Sequence, residues 1–311
     1  MKYTIGIDIG GTNTEIGLVD ENGHVVAYKN LSTRAYPVFD MFVDTLSDEI
    51  KTIINANKDK ECLGIGIGAP NANYYNGMIQ EAVNLLWRGD LPLKKEVEKR
   101  TGLSTYVTND ANAAAIGEKL FGAAQGMRDF AVITLGTGVG SGIVVNDEMV
   151  YGHDGFAGEL GHIIIEENGR LCNCGRYGCL ETYASATGIV RTANEWLERE
   201  GVDSLLLAKK GNLTSRDIYY AANDGDALAL DIFEFTAKIL GQTLADAVTI
   251  TSPQAIVFFG GLSFSGAFLM DPIRKYLEQN LLKIYKNKIT ILHSELPDSD
   301  AAILGASALA W

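Results

Sequence analysis

The sequence has neither a long apolar run nor an excess of basic residues. No stretch approaches the length of a membrane span, and the first apolar run is broken by Asp8, so no signal peptide is predicted. Lys and Arg number 26 against 39 Asp and Glu, a formal net charge of −13. Nucleic acids and anionic membranes attract basic surfaces. We therefore expect a cytoplasmic protein without nucleic-acid or membrane partners.

Cysteine is also scarce, and its distribution is informative. Three of the four cysteines, Cys172, Cys174 and Cys179, form a C-x-C-x4-C pattern, and His162 precedes it by ten residues. Without a secretory signal this clustering favours a metal site over disulfides. Three thiolates and one imidazole complete a tetrahedral zinc set and leave no position for water. That closed set is typical of a structural ion.

Two carboxylates, Glu159 and Glu181, bracket this stretch. Each alone is typical of a solvated surface charge, but a metal between them would hold both at fixed positions. Carboxylates and amides such as that of Asn109 bind sugar hydroxyls well. We therefore expect the metal to shape a polyol pocket. The N-L-L-W stretch at 84–87 could add an amide and an aromatic face, although Trp87 equally fits a core.

The chain repeats one pattern of strands. A strand, a glycine-rich turn, a strand, a turn and a third strand occur at 2–9, 14–20 and 24–31, and again at 130–135, 141–146 and 149–151. The interval is about 125 residues, and no linker separates the halves. A chain of 311 residues with such a repeat predicts an α/β protein of two lobes.

Two glycine- and threonine-rich turns occupy matching places in this repeat. They are D-I-G-G-T-N-T at 8–14 and L-G-T-G-V-G-S-G at 135–142. Backbone N–H groups and threonine hydroxyls suit phosphate oxygens, and Asp8 can hold a magnesium ion. One such turn is typical of a plain hairpin, but two predict a clamp for a nucleotide triphosphate.

Other phosphate motifs do not fit the glycines. The Walker A pattern G-x-x-x-x-G-K-[ST] is absent. Gly64, Gly66 and Ala69 match the dinucleotide fingerprint loosely, but Pro70 and a polar loop follow where that motif needs a helix.

Asp110 lies between a predicted strand and a predicted helix, in T-N-D-A-N-A-A at 108–114. One interpretation is a helix N-cap, a position that Asp fills well. The other is a general base for phosphoryl transfer to a hydroxyl. Both roles are compatible, since a helix start would fix the carboxylate and keep it ionised. Gly260 and Gly261, after an apolar strand, are either a turn into a helix or a site of close approach to adenine.

Taken together, these pieces resemble the ROK family (repressor, open reading frame, kinase) over essentially the whole chain. The most specific match is G-E-L-G-H followed by C-N-C-G-R-Y-G-C-L-E. The N-L-x-W motif at 84–87 is similar to that of glucokinase-like members. Where many members carry G-x-P-G, this chain has G-A-P-N at 68–71.

The resemblance implies the two-lobed α/β fold of the actin, Hsp70 and sugar-kinase group, with duplicated mixed-sheet domains and an interlobe cleft. It implies a small N-terminal lobe of 1–112 plus 298–311 and a large C-terminal lobe of 113–297 that contains the zinc-binding loop. The implied partners are a hexose and ATP with Mg²⁺, and a homodimer by analogy.

The resemblance also assigns roles to single residues. Asp110 would be the catalytic base. The sugar would bind Asn84, Asn109, Asp110, Glu159, His162 and Glu181. ATP would bind Asp8, Gly10, Gly11, Thr12, Asn13, Thr14, Gly136, Thr137, Gly138, Gly260 and Gly261. Structural zinc would bind His162, Cys172, Cys174 and Cys179.

The predicted reaction is ATP-dependent phosphorylation of a hexose, with glucose at its 6-hydroxyl as the first expectation. An N-acetylglucosamine or N-acetylmannosamine kinase would use the same chemistry with more room at carbon 2. A sugar-responsive repressor of the same family would need an N-terminal helix-turn-helix domain, whereas here the first predicted strand begins at residue 2, and its surface would not be so acidic.

Overall fold

The computed structural model describes residues 2–57, 61–297 and 300–311. The predicted domain limits at 1 and 298 lie outside these ranges. The chain forms two compact units. The first contains Met1–Arg128, Gly142–Gly158 and Ser294–Trp311, and the second contains Asp129–Ser141 and Glu159–His293. Within the described ranges, no helix is both long and apolar enough to cross a membrane.

The strands are β1 (Lys2–Ile9), β2 (Asn13–Asp20), β3 (Val25–Ser32), β4 (Glu61–Gly68), β5 (Ile79–Gln80), β6 (Asp90–Leu91), β7 (Thr105–Thr108), β8 (Phe130–Leu135), β9 (Val139–Val145), β10 (Glu148–Met149), β11 (Ala255–Phe259) and β12 (Thr290–His293). The helices are α1 (Phe39–Ala56), α2 (Leu93–Thr101), α3 (Asp110–Phe121), α4 (Glu181–Ala184), α5 (Ala186–Trp196), α6 (Ser215–Asn223), α7 (Ala227–Thr251), α8 (Ala267–Asn280) and α9 (Ala301–Ser307).

The first sheet has the order β3-β2-β1-β4-β7. β1 pairs antiparallel with β2, and β2 with β3, whereas β4 is parallel to both β1 and β7. Its buried face carries Ile5, Ile7 and Ile9 at alternate positions of β1, as the period of a strand requires. The parallel strands bring the carboxyl ends of β1, β4 and β7 to one edge.

Glycines let helix α9 lie directly on this sheet. A Cβ on Gly6 would stand 2.1 Å from the Ile303 carbonyl oxygen, and one on Gly66 would stand 1.9 Å from that of Ala306. Neither position can accept a side chain, because these are backbone contacts. The glycine alternation that loosely imitates a dinucleotide motif therefore serves helix packing.

The second sheet repeats the order of the first as β10-β9-β8-β11-β12. β10 is antiparallel to β9, and β11 is parallel to β8 and β12. Apolar side chains of β11 and α7, among them Phe258 and Phe233, belong to one buried core. The matching orders confirm the predicted duplication of a mixed sheet.

Some local features differ from expectation. The short hairpin β5-β6 lies in the polar stretch after Pro70, where no strand is predicted. Two-residue strands have no visible periodicity in the sequence. The predicted lobe boundary at 112–113 falls inside helix α3. The lobes 1–112 with 298–311 and 113–297 stay a prediction.

Candidate active site

Two carboxylates meet at the carboxyl-terminal edge of the first sheet. The strand register aligns Asp8 of β1 with Gly68 of β4, and Gly68 with Thr108 of β7. A Cβ on Gly68 would lie 3.8 Å from Asp8 Oδ1 and 3.8 Å from Asp110 Cα. Asp8 and Asp110 are therefore neighbours at the edge where parallel sheets bind ligands.

The surroundings of both carboxyls favour their neutral forms. Burial raises the pKa of Asp8 to about 7, and the nearby charges of Asp110 and Glu15 add to this rise. Asp110 exposes surface to solvent, yet the protein packed around it displaces enough water to raise its pKa despite an N–H donated by Ala111. Burial thus opposes the effect by which a helix start favours the ionised form of Asp110. A raised pKa brings a carboxylate closer to the pH at which a general base works.

Asn109, and not Asp110, caps helix α3. Its Oδ1 accepts the backbone N–H of Asn112 at 2.7 Å, and Asp110 is the first helical residue. The N-cap interpretation of Asp110 is thus wrong by one position. This cap holds the Asn109 side chain in place.

The first glycine turn is closed by a hydrogen bond from the Gly10 N–H to the Asn13 carbonyl at 2.9 Å. Thr12 and Asn13 are exposed at its tip. Thr14 is fully buried, and its hydroxyl lies 2.8 Å from that of Thr33. The structure thus places Thr12 at the surface of the turn and Thr14 beneath it.

The segment with Asn84 packs on the same turn. A Cβ on Gly11 would stand 2.4 Å from the Asn84 carbonyl oxygen. An Nη1 donor of Arg88 reaches the Leu85 carbonyl at 2.6 Å and helps to fix the segment. Asn84 is exposed, whereas Trp87 is buried with its ring centroid 4.6 Å from that of Phe42. Of the two interpretations of Trp87, the core position is the one observed.

The second glycine turn lies beside Gly260 in the second unit. The Gly136 N–H donates to the Gly138 carbonyl at 3.1 Å, and Gly136 faces open space. Gly260 has a φ of 96°, and a Cβ there would stand 2.8 Å from the Leu135 carbonyl oxygen. Since β8 and β11 are parallel neighbours, the turn at 136–138 and the pair Gly260-Gly261 lie at the same edge of the second sheet. Gly261 is exposed with open space around it.

The four predicted metal ligands converge. The ligand atoms of His162, Cys172, Cys174 and Cys179 all lie within 4.8 Å of one another. The sulfurs of Cys174 and Cys179 are 3.7 Å apart. Two thiolates on a tetrahedral zinc ion with bonds of about 2.3 Å stand about 3.8 Å apart. The donor set and its spacing therefore fit zinc.

The candidate sugar carboxylates flank this cluster. Nδ1 of His162 lies 3.7 Å from Cys172 Sγ, and its Nε2 lies 3.9 Å from a carboxylate oxygen of Glu159. Glu181 begins helix α4, and its Oε1 is 3.8 Å from His162 Nδ1. One ring nitrogen thus faces the cysteines and the other faces Glu159. The double use of His162, for zinc and for the sugar, stays a prediction.

The structure gathers the predicted residues into two groups. The group in the first unit is Asp8, Gly10, Gly11, Thr12, Asn13, Thr14, Asn84, Asn109 and Asp110. The group in the second unit is Gly136, Thr137, Gly138, Glu159, His162, Cys172, Cys174, Cys179, Glu181, Gly260 and Gly261.

The departure at Asn71 was visible in the sequence but its backbone conformation was not, and Arg170 was given no role. Asn71 has a φ of 52°, a left-handed conformation that Asn tolerates better than most residues. It occupies the place of the second Gly in G-x-P-G, which was the available signal. Arg170 is buried within the cysteine stretch and stacks on Tyr183 at 4.4 Å. An isolated arginine carries no signal of that role.

Residues 4–311 match the ROK family. The chain is 40% identical over 283 residues to a glucokinase from Halalkalibacterium halodurans, which covers 89% of this chain and 86% of that protein. It is 30% identical over 312 residues to a xylose repressor from Caldicellulosiruptor bescii, with 98% and 77% covered. A solved ROK family glucokinase from Streptomyces griseus, in complex with glucose and AMPPNP, has a TM-score of 0.80 at 37% identity, with 99% and 98% covered.

Proposed function

The chain belongs to the ROK family, and we propose that it is an ATP-dependent kinase that phosphorylates glucose at the 6-hydroxyl. The glucokinases at 37–40% identity support this substrate. The two-sheet α/β fold predicted for a sugar kinase is confirmed by the structural similarity. The observation that carries the proposal is the pair Asp8 and Asp110 at one sheet edge, beside a glycine turn.

Asp110 is the proposed general base. It takes the proton of the sugar 6-hydroxyl as that oxygen forms a bond to the γ-phosphorus, and the bond to the bridging oxygen of ADP breaks. Asp110 is fixed by its place at the first turn of α3 and remains accessible to solvent. It combines the fixed position and the access that a base at the nucleophile needs.

Asp8 and the glycine turns are assigned to ATP. Asp8 would hold the Mg²⁺ that accompanies ATP and neutralises its phosphate oxygens, and the cation would favour the ionised carboxylate despite its raised pKa. The exposed turns at 10–13 and 136–138 offer N–H groups to phosphates. Gly260 and Gly261 provide a surface without side chains for the adenosine. Thr14 supports the first turn from beneath.

The sugar is assigned to the amides of Asn84 and Asn109 and to the side chains of Glu159, His162 and Glu181. Carboxylates accept from two hydroxyls, and amides both donate and accept, so this set suits a polyol. His162, Cys172, Cys174 and Cys179 would hold a structural zinc ion, which has no open position for substrate. The zinc would fix the loop that presents Glu159 and Glu181.

A coupled assay for ADP release with glucose, N-acetylglucosamine and N-acetylmannosamine tests the proposal. We expect the highest kcat/KM for glucose. Asp110→Asn should lose about 10³-fold or more in kcat while still binding glucose by calorimetry. Asp271→Asn, a surface carboxylate that pairs with Arg274, is the matched control and should keep full activity.

Three outcomes would change the assignment. No ADP release with any hexose would reject the kinase. A preference for an N-acetylated sugar would move the substrate to the hexosamines. Near wild-type turnover in Asp110→Asn would reject its role as base.

A further inference from the structure

The first turn of helix α5 donates hydrogen bonds to the backbone carbonyls of the second glycine turn. The Ala186 N–H donates to the Gly136 carbonyl at 2.8 Å, and the Thr187 hydroxyl donates to the Thr137 carbonyl at 2.6 Å. Two consecutive carbonyls of the turn are therefore held by one helix start. Residues 186 and 187 were not among the predicted site residues.

These two bonds set the direction of the opposite N–H groups. In a planar trans peptide the C=O and the next N–H point in opposite directions. Fixing the Gly136 carbonyl on α5 therefore turns the Thr137 N–H away from the helix. Fixing the Thr137 carbonyl does the same for the Gly138 N–H. The result is two adjacent donors aimed to one side, the arrangement that binds a phosphate.

The same helix start is tied to Glu181. Ser185, which is fully buried, donates its hydroxyl hydrogen to the Glu181 carbonyl at 2.6 Å and caps α5 by accepting the Gly188 N–H at 2.9 Å. The hydroxyl oxygens of Ser185 and Thr187 lie 3.0 Å apart. A Cβ on Gly138 would stand 2.5 Å from Glu181 Oε2. Glu181 thus touches the glycine turn directly and through residues 185–187.

We propose that Thr187 is a positioning residue that aims the Gly138 N–H at the nucleotide phosphates and couples this turn to the sugar residue Glu181. The inference rests on the proposed function, because it assumes that the turn binds ATP and that Glu181 binds the sugar. Thr187 touches neither substrate in this account. It acts through the peptide plane between Thr137 and Gly138.

The test compares Thr187→Val, which keeps the shape and removes the hydroxyl, with Thr187→Ser, which keeps it. Thr249→Val is the matched control, because the Thr249 hydroxyl likewise donates to a carbonyl, but to one of its own helix, that of Ala245 at 3.0 Å. We expect Thr187→Val to raise the KM for ATP by about 3- to 10-fold, the effect of one lost hydrogen bond. Thr187→Ser and Thr249→Val should stay near the wild-type value.

A second measurement separates positioning from a purely structural role. The ratio of the glucose Kd without and with AMPPNP measures the coupling between the two sites, which must be reciprocal. Thr187→Val should move this ratio towards one while leaving the glucose Kd of the free protein unchanged. A lower melting temperature with both parameters unchanged would overturn the inference, as would an unchanged KM for ATP. Thr187→Ala repeats the test if the valine variant is not folded.

The two proposals fail in different ways. If the wild-type protein transfers no phosphate to a hexose, the proposed function is wrong. If the wild type is active and Thr187→Val matches it in the KM for ATP and in the coupling ratio, only the role of Thr187 is wrong.

Discussion

Replacing Arg170 by Met should destabilise the second unit strongly. The Arg170 side chain is 7% exposed, and its Nη1 donates to the Thr182 carbonyl at 2.7 Å. Its Nη2 donates to the Thr192 hydroxyl at 2.9 Å and pairs with Glu195. Methionine could keep part of the contact with the Tyr183 ring but none of the donors.

The expected loss of stability follows from the polar groups that lose their hydrogen bonds to Arg170. The Thr182 carbonyl loses this donor, at a cost of about 1–3 kcal/mol for a buried acceptor. The pair with Glu195 adds less than about 1 kcal/mol, because that carboxylate is 45% exposed. A total of about 1–4 kcal/mol corresponds to a fall in melting temperature of about 3–12 °C for a unit of this size.

The assay is thermal unfolding followed by circular dichroism, with Arg199→Met as the control. Arg199 also stacks on an aromatic ring, that of Trp196 at 4.2 Å, but it is exposed. The control should melt within about 2 °C of the wild type. An equally small shift in Arg170→Met would refute the reasoning that this guanidinium holds the cysteine stretch to helices α4 and α5.

Three further changes test the site. Asp8→Asn should stabilise the unliganded protein more at pH 8 than at pH 5, with a difference of about 1 kcal/mol or more in the free energy of unfolding. The folded pKa of Asp8 is about 7 against 3.8, so ionised Asp8 disfavours folding increasingly as pH rises through that window. Gly138→Ala should raise the KM for glucose by about 10-fold or more, because its Cβ would displace the Glu181 carboxylate. Cys174→Ser should lower bound zinc and raise the KM for glucose together. No described contact joins Cys174 to a sugar carboxylate, so its effect on glucose must pass through the zinc.

Each of these three predictions has an outcome that would contradict it. A larger gain for Asp8→Asn at pH 5 than at pH 8 would show that its carboxyl is not held neutral. An unchanged glucose KM in Gly138→Ala would show that Glu181 does not contact the sugar. Zinc loss without any change in the KM for glucose would separate the metal from the pocket.

The sequence predicted the glycine turns and strand ends well, because tight turns between buried strands require glycine and leave a visible pattern. The prediction treated Thr12 and Thr14 alike, although the strand pattern distinguishes the outward from the inward threonine. Thr14 shares the inward face of β2 with Ile16 and Leu18, all of them buried. The alternation along N-T-E-I-G-L carries that information, since every second residue of a strand faces the same side.

Other features depend on tertiary structure. Asn109 and Asp110 are equally good N-cap residues by type, so the first helical residue was visible only in the fold. The raised pKa of Asp8 requires its burial beside Asp110, two residues far apart in sequence. The hydrogen bond from the Thr187 hydroxyl to the Thr137 carbonyl joins positions 50 residues apart, so no short sequence motif predicts it.

Product analysis shows whether the protein transfers a phosphoryl group from ATP to glucose. The purified protein is incubated with glucose, ATP and Mg²⁺, and the products are identified by ³¹P NMR. We expect ADP and glucose 6-phosphate in equal amounts, with both lost in Asp110→Asn although glucose still binds. Release of inorganic phosphate without a sugar phosphate, or equal product from Asp110→Asn, would contradict it.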